Sequence, residues 1–211
     1  MVLNPATHPP NGGCPGPHTL DIMGATAGAY MSRPGSSFGV SARQINADCW
    51  SAPMLRPVPF YYLRHGQTDW NLEHRAQGQQ DVELNDTGRL QALRAVAKLQ
   101  DKEIASICCS PLSRARESAS IIAAALSLPV VVVDDLKEAA WGVFEGQTKG
   151  AWFNRWKEGK THEGAEPYEA FLHRALRGIN SALREKAPVL IVAHGGTYWA
   201  VEPVRNFVCE A

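Results

Sequence analysis

Four short stretches of this chain carry side chains able to handle an anion and a proton together. Arg64-His65-Gly66 follows an apolar run over residues 58–63, and Arg114 closes Ser110-Pro-Leu-Ser-Arg114. Glu138 follows Leu136-Lys137, and His194-Gly195-Gly196 follows the run Val-Leu-Ile-Val-Ala193. The guanidinium groups of Arg64 and Arg114 match phosphate oxygens bidentately and keep their charge at any ordinary pH. A neutral imidazole beside them can attack phosphorus and form a covalent intermediate. The arginines depress its pKa, because a second positive charge there is unfavourable, and they spread the charge that develops during transfer. The other histidine can hydrogen-bond the transferring group. A leaving alkoxide needs a proton, which a carboxylic acid such as Glu138 can supply. Glycine after each histidine, Gly66 and Gly195, lets a backbone amide approach an anion closely.

Each residue alone has a blander reading. His194 fits an ordinary hydrogen-bonded histidine, Glu138 a surface carboxylate, and Arg114 with Arg116 a solvated helix face. Their joint occurrence in order, each at the end of a strand candidate, is what points to phosphoryl chemistry.

That reading requires elements that bring the four ends together. The strand candidates are residues 58–63, 104–109, the four valines 130–133, and Val189–Ala193. Between them fall helix patterns. One spans 86–101, capped by Asn85, with Leu90, Leu93, Val96, Ala97 and Leu99 as its apolar face. A second spans 112–127. A third spans 167–186 and opens on Pro167, with Tyr168, Phe171, Leu172, Ala175, Leu176, Ile179, Ala182 and Leu183 as its stripe. Nearly all-apolar strands alternating with helices predict an α/β fold, a mostly parallel sheet with helices on both faces. Ligands bind such sheets outside the carboxyl ends of the strands.

Residues 1–56 read differently. They are rich in Gly, Pro, Ser and Thr, carry few charges and show no periodicity, as in Asn11-Gly-Gly-Cys-Pro-Gly-Pro17. Such a stretch buries too little apolar surface to offset its ordering entropy. It is expected to be a disordered or artefactual extension ahead of one domain over 57–211. Asp21 interrupts its only apolar stretch, which argues against a secretory signal. Lys+Arg and Asp+Glu both number 21, so global charge gives no reason to expect nucleic acid or a membrane surface as partner. The odd number of cysteines, 5, fits neither a zinc site nor a disulfide framework and points to a reducing, cytoplasmic setting. No apolar run is long enough to span a bilayer.

The motifs resemble the histidine phosphatase (phosphoglycerate mutase-like) superfamily. Leu63-Arg-His-Gly-Gln-Thr-Asp-Trp-Asn71 is similar to its defining signature, and the likeness continues through Gln77-Gly78, Asp81, Leu84, Gly88 and Gln91-Ala92. Ser110-Pro-Leu-Ser-Arg-Ala115 resembles the second arginine motif, Leu136-Lys-Glu-Ala-Ala-Trp-Gly-Val-Phe-Glu-Gly146 the acid motif, and Ala193-His-Gly-Gly196 the second histidine motif. The resemblance implies a three-layer α/β/α fold and a phosphohistidine intermediate on His65. It implies phosphoryl binding by Arg64, Arg114 and His194, with Asn71, Thr68 and Gly195 as further substrate contacts. It makes Glu138 the acid and then the base for water, leaves Arg116 at the rim, and requires no metal or cofactor.

The mutases of the family resemble one another in an Arg-His-Tyr-Gly stretch near the acid motif and in a long insert before the second histidine. Trp141-Gly-Val-Phe-Glu-Gly146 and a short span to His194 stand here instead, which favours hydrolysis of a small phosphorylated metabolite. A phosphohistidine protein phosphatase, a phosphoglycerate mutase and an inactive phosphate-binding module are the alternatives. Gly164-Ala-Glu166-Pro167 departs from the family's Gly-Glu-Ser, in a region bordering the substrate. The chain ends at Ala211, sooner after His194 than in relatives, so a sheet edge is expected to be less covered or covered by a partner chain, as in a homodimer.

Overall fold

A computed structural model describes residues 22–25, as backbone, and residues 55–201. Five strands form one sheet: β1 Ile22–Ala25, β2 Phe60–Arg64, β3 Ser106–Cys109, β4 Val130–Val132 and β5 Val189–Ala193. Their order across the sheet is β1-β2-β5-β3-β4. The last four are parallel and β1 runs antiparallel to β2, so the sheet is mostly parallel, as the alternation of elements predicts.

Strand β1 falls within the stretch to which the sequence assigns no element. Four residues that include Gly24 are too few to show periodicity, yet backbone pairing from Ile22 opposite Leu63 to Ala25 opposite Phe60 is enough to make a strand. The rest of the expected extension, up to residue 54, lies outside the described residues, as do residues 202–211.

Alternation along each strand sends successive side chains to opposite faces. Leu63, Ile107, Cys109, Leu190 and Val192 form one core with Ala95, Val96 and Leu99 of α2 (Asp86–Leu99) and Ala119 and Ile122 of α3 (Ser113–Leu126). Phe60, Tyr62, Cys108, Ile191 and Ala193 form the other with Phe171, Ala175, Ile179 and Ala182 of α5 (Tyr168–Ala182), and with Trp141 and Trp156. Two short helices, α1 (Asp69–Leu72) and α6 (Gly195–Trp199), follow the two histidines, and α4 (Ala151–Lys157) carries Trp156. Phe171 has no exposed surface; truncating such a side chain to alanine costs about 3–5 kcal/mol. Among the described residues no helix is long and apolar enough to cross a membrane.

Helix α2 is rolled relative to the expected face. Asn85 caps it as predicted, accepting from Gly88 N at 2.9 Å. Its buried stripe is Gly88, Ala92, Ala95, Val96 and Leu99, while Leu90 and Leu93 are 52% and 54% exposed. Gly88 is the cause. A Cβ there would lie 2.7 Å from Gln67 N and 3.0 Å from Gln67 C, so the backbones touch and the stripe of small residues is drawn inward. Pro167 stands one position before α5 rather than inside its first turn.

Candidate active site

The register of β2, β5 and β3 sets three strand ends side by side. Arg64 pairs with Ala193 and Cys109 with Val192. The next residue on each outer strand continues the ladder: His65 N donates to Ala193 O and Ser110 N to Val192 O, both at 3.0 Å. His65, His194 and Ser110 are thereby neighbours by backbone geometry alone, and the two imidazole centroids lie 5.2 Å apart.

His65 is buried and its Nδ1 lies 2.7 Å from Gly66 O. A carbonyl only accepts, so Nδ1 carries the proton and Nε2 keeps its lone pair. Burial pushes the pKa of His65 well below its usual value, and Arg114 and then Arg64 push it in the same direction. The ring is therefore neutral and nucleophilic at neutral pH. The turn that presents it is fixed by glycine: a Cβ on Gly66 would lie 2.8 Å from Gly88 C. Gly66 N donates to Ser118 Oγ at 3.0 Å, so this amide is held within the protein rather than offered to an anion.

His194 is wholly buried, with Nε2 2.8 Å from Ser110 Oγ. Leu112 N donates to that oxygen at 3.3 Å, which leaves the hydroxyl one proton and one lone pair with which to meet Nε2. With the Ser110 hydroxyl donating to Nε2, His194 is the Nδ1–H tautomer; Nδ1 has no hydrogen-bond partner among the described residues. Tyr62 Oη anchors the same residue from the other side by donating to His194 O at 2.8 Å. Burial, then Arg114 and His65, hold the His194 pKa well below normal.

Arg114 is 1% exposed. Its Nη1 donates to Gln80 O and its Nη2 to Gly78 O, each at 2.8 Å, while its Nε has no partner among the described residues. Burial lowers its pKa to about 10, so it remains a cation at neutral pH. Its carbonyl partners are themselves held by Glu145, which accepts from Gln79 N at 2.9 Å and Gln80 Nε2 at 3.0 Å. A buried donor without a partner costs about 1–3 kcal/mol. Among the described residues Trp141 Nε1, Arg114 Nε and, in the Nδ1–H tautomer, His194 Nδ1 are such donors; the latter two belong to the residues around His65 and suit anionic oxygens.

Glu138 is buried in the loop between β4 and α4. Its Oε1 accepts from Ala139 N and its Oε2 from Gly196 N, both at 3.0 Å. A carboxylate has about four lone-pair sites, so two stay open for a proton or a ligand. Gly196 is what admits the carboxyl next to His194, since a Cβ there would lie 3.0 Å from Glu138 Cδ. That amide, too, serves the protein.

The remaining expected residues sit as follows. Arg64 is half-buried beside Gly195, where a Cβ on the glycine would lie 3.8 Å from its Nε. Asn71 and Thr68 form the capping box of α1: Asn71 Oδ1 accepts from Thr68 N at 3.1 Å and Thr68 Oγ1 at 3.2 Å. This turns the Asn71 amide so that its NH2 is the uncommitted end. Thr68 is wholly buried and its hydroxyl is already bonded to Asn71, so a phosphate contact would compete with the cap. Arg116 is exposed on α3.

Several contributors escaped the sequence reading. Ser110 orients His194, Ser118 ties down Gly66, Glu145 holds the carbonyls on Arg114, and Arg174 grips the backbone of Glu138 at 3.1 Å. Ser110 had a usable signal, being the first residue past a strand. The others act through backbone carbonyls or amides far away in sequence, which no spacing rule reveals.

Comparison with known proteins places the chain in a family. The family model described as histidine phosphatase superfamily (branch 1) matches residues 60–202. The chain is similar to the uncharacterized phosphatase PhoE of Bacillus subtilis, 38% identical over 142 residues, covering 66% of this chain and 72% of that one. It is similar to a bifunctional protein of Mycobacterium tuberculosis, 32% identical over 186 residues; the match takes in 82% of this chain but only 51% of that larger protein. Among solved structures it resembles a mycobacterial glucosyl-3-phosphoglycerate phosphatase, with 30% identity, a TM-score of 0.59, and coverage of 71% of this chain and 82% of that one.

Proposed function

The chain belongs to the histidine phosphatase superfamily, and on that premise we propose that it hydrolyses phosphate monoesters through a phosphohistidine on His65. The observation that carries this reading is His65 itself, a buried neutral imidazole with Nδ1 tied to Gly66 O and Nε2 free, set in the field of Arg114 and Arg64. The Nε2 lone pair attacks phosphorus, and the phosphorus–oxygen bond to the leaving group breaks. Glu138 gives its proton to the departing alkoxide. Arg114, Arg64, the His194 Nδ1–H and the Asn71 amide stabilise the phosphoryl oxygens during transfer. Water then attacks phosphorus while the Glu138 carboxylate takes its proton. The phosphorus–nitrogen bond breaks, its electron pair returns to His65, and inorganic phosphate leaves.

The substrate class in this reading is a small phosphorylated metabolite. The phosphatase names of PhoE and of the mycobacterial structure support hydrolysis over mutation, and the latter makes phosphorylated glycerate derivatives the first compounds to screen. The test is p-nitrophenyl phosphate turnover with chelator present, comparing wild type with His65→Ala, together with an alkaline detergent quench to trap a phosphoprotein that is stable to base and lost on acid treatment. Turnover and trapped phosphate that both vanish in the variant support the proposal. Equal turnover in His65→Ala refutes it.

A further inference from the structure

Every N–H of one arginine outside the catalytic cluster is spent, on a neighbouring carboxylate and on the acid loop. Arg174, on α5, grips Glu166 with Nε at 2.8 Å and Nη2 at 2.7 Å. Its Nη1 donates to Asp135 O and to Lys137 O, both at 3.0 Å, and its Nη2 donates to Glu138 O at 3.1 Å. Those five bonds exhaust the five donors of a guanidinium. Three of the five fall on the backbone that leads into Glu138.

Other contacts close the frame. Gln79 Nε2 also donates to Glu138 O, at 3.1 Å. Glu166 N donates to Ala140 O at 2.8 Å, so the residue that holds Arg174 grips the loop beyond Glu138 as well. Trp156 Nε1 of α4 donates to Glu166 O at 2.7 Å. A salt bridge serving stability alone has no need to span residues 135, 137, 138 and 140. Both members of the pair are mostly buried, with side chains 16% and 18% exposed.

We infer that Arg174, held by Glu166, is a positioning residue for Glu138: it fixes the loop backbone so that the carboxyl meets the leaving-group oxygen. This deepens the phosphatase reading above and rests on it. The Gly164-Ala-Glu166-Pro167 stretch, a departure from the family pattern at sequence level, supplies the carboxylate of this clamp. Lysine is no substitute, because a point charge cannot reproduce the fork.

The experiment compares an alkyl phosphate, whose leaving group needs the acid, with p-nitrophenyl phosphate, whose leaving group needs little protonation. Arg174→Lys is expected to lower kcat/KM on the alkyl ester about 30-fold or more, a large part of the roughly 100- to 10,000-fold that general acid catalysis supplies, and on p-nitrophenyl phosphate no more than about threefold; kcat/KM stops at formation of the phosphohistidine and so excludes the hydrolysis step that both esters share. In a Glu138→Gln background it adds little further loss on the alkyl ester. Equal losses on both esters, or full additivity with Glu138→Gln, overturn the inference while His65-dependent turnover leaves the phosphatase reading standing. Absence of His65-dependent turnover of either ester in wild type overturns both. If Arg174→Lys fails to fold, Glu166→Gln decides: the same split between esters supports the clamp, and an even loss overturns it.

Discussion

A methyl group at residue 196 tests how Glu138 is placed. Gly196 N holds Glu138 Oε2 at 3.0 Å. In Gly196→Ala the new Cβ would stand 3.0 Å from Glu138 Cδ and 3.2 Å from Oε2, with Oε1 nearer still. Comfortable separation of such atoms is about 3.5–4.0 Å, so the carboxyl, Oε1 above all, must withdraw by roughly 1 Å or more and gives up its bond to the amide. Folding is not at stake, because residue 196 lies in α6 and alanine is favoured over glycine in a helix by about 0.8–1 kcal/mol. A displacement of about 1 Å at a reacting group costs on the order of 100-fold, or about 2.7 kcal/mol of barrier. The expected outcome is a kcat/KM on an alkyl phosphate about 100-fold below wild type, with kcat/KM on p-nitrophenyl phosphate within a few-fold and an unfolding temperature within a few degrees. Steady-state assays on the two esters and a thermal melt measure all three. Undiminished alkyl phosphate turnover by folded Gly196→Ala would refute the geometric argument for Glu138 as the proton donor.

Two further outcomes follow from the site. His65 and His194 are held neutral by burial and nearby arginine, so their folded pKa values lie well below 6.5. Stability from this source is complete above about pH 6.5 and is lost as pH falls below it, because the unfolded imidazoles take up protons first. The slope approaches about 1.4 kcal/mol per pH unit for each histidine, about 2.7 for both, and denaturant titrations between pH 7.5 and 5.5 should show it shallower in His65→Gln than in wild type. Gly88→Ala forces a Cβ to 2.7 Å from the Gln67 amide nitrogen, where backbone rather than a flexible side chain must move. Its melt should show about 1–3 kcal/mol of lost stability, and its losses on alkyl and aryl esters should be alike, since the turn that shifts carries His65 and not the acid.

Much of this architecture was legible because chemistry and periodicity coincide. The apolar runs ending at Leu63, Cys109 and Ala193 became buried parallel strands, and the residues just beyond them, from Arg64-His65 to His194, lie side by side in the candidate site. The α5 stripe was equally clear, with Phe171, Ala175 and Ile179 facing the core. What stayed hidden was set by contacts between distant backbones. Leu90 and Leu93 belonged to the apolar face on periodicity, but the close approach of Gly88 to Gln67 overrode it. Strand β1 exists through pairing with β2, a partner that composition cannot name. Arg174 carries no signal in that stripe, because its backbone partners are carbonyls 36 to 39 residues away.

The position of β5 carries a consequence for how the chain reaches this state. The last strand in sequence lies third in the sheet, between β2 and β3. Before it inserts, the amides of His65 and Ser110 lack their acceptors on Ala193 and Val192, and the second imidazole has no seat. Synthesis proceeds from the N-terminus, so the nascent chain carries two halves of a sheet with unpaired inner edges until residue 193 has emerged. Contacts spanning more than 120 residues, such as Tyr62 to His194, form only after that long loop closes. Phosphoryl transfer is therefore a late reporter of folding: regain of activity should follow regain of helix signal in a refolding experiment, and a chain stopped before β5 has helices but no catalytic pair.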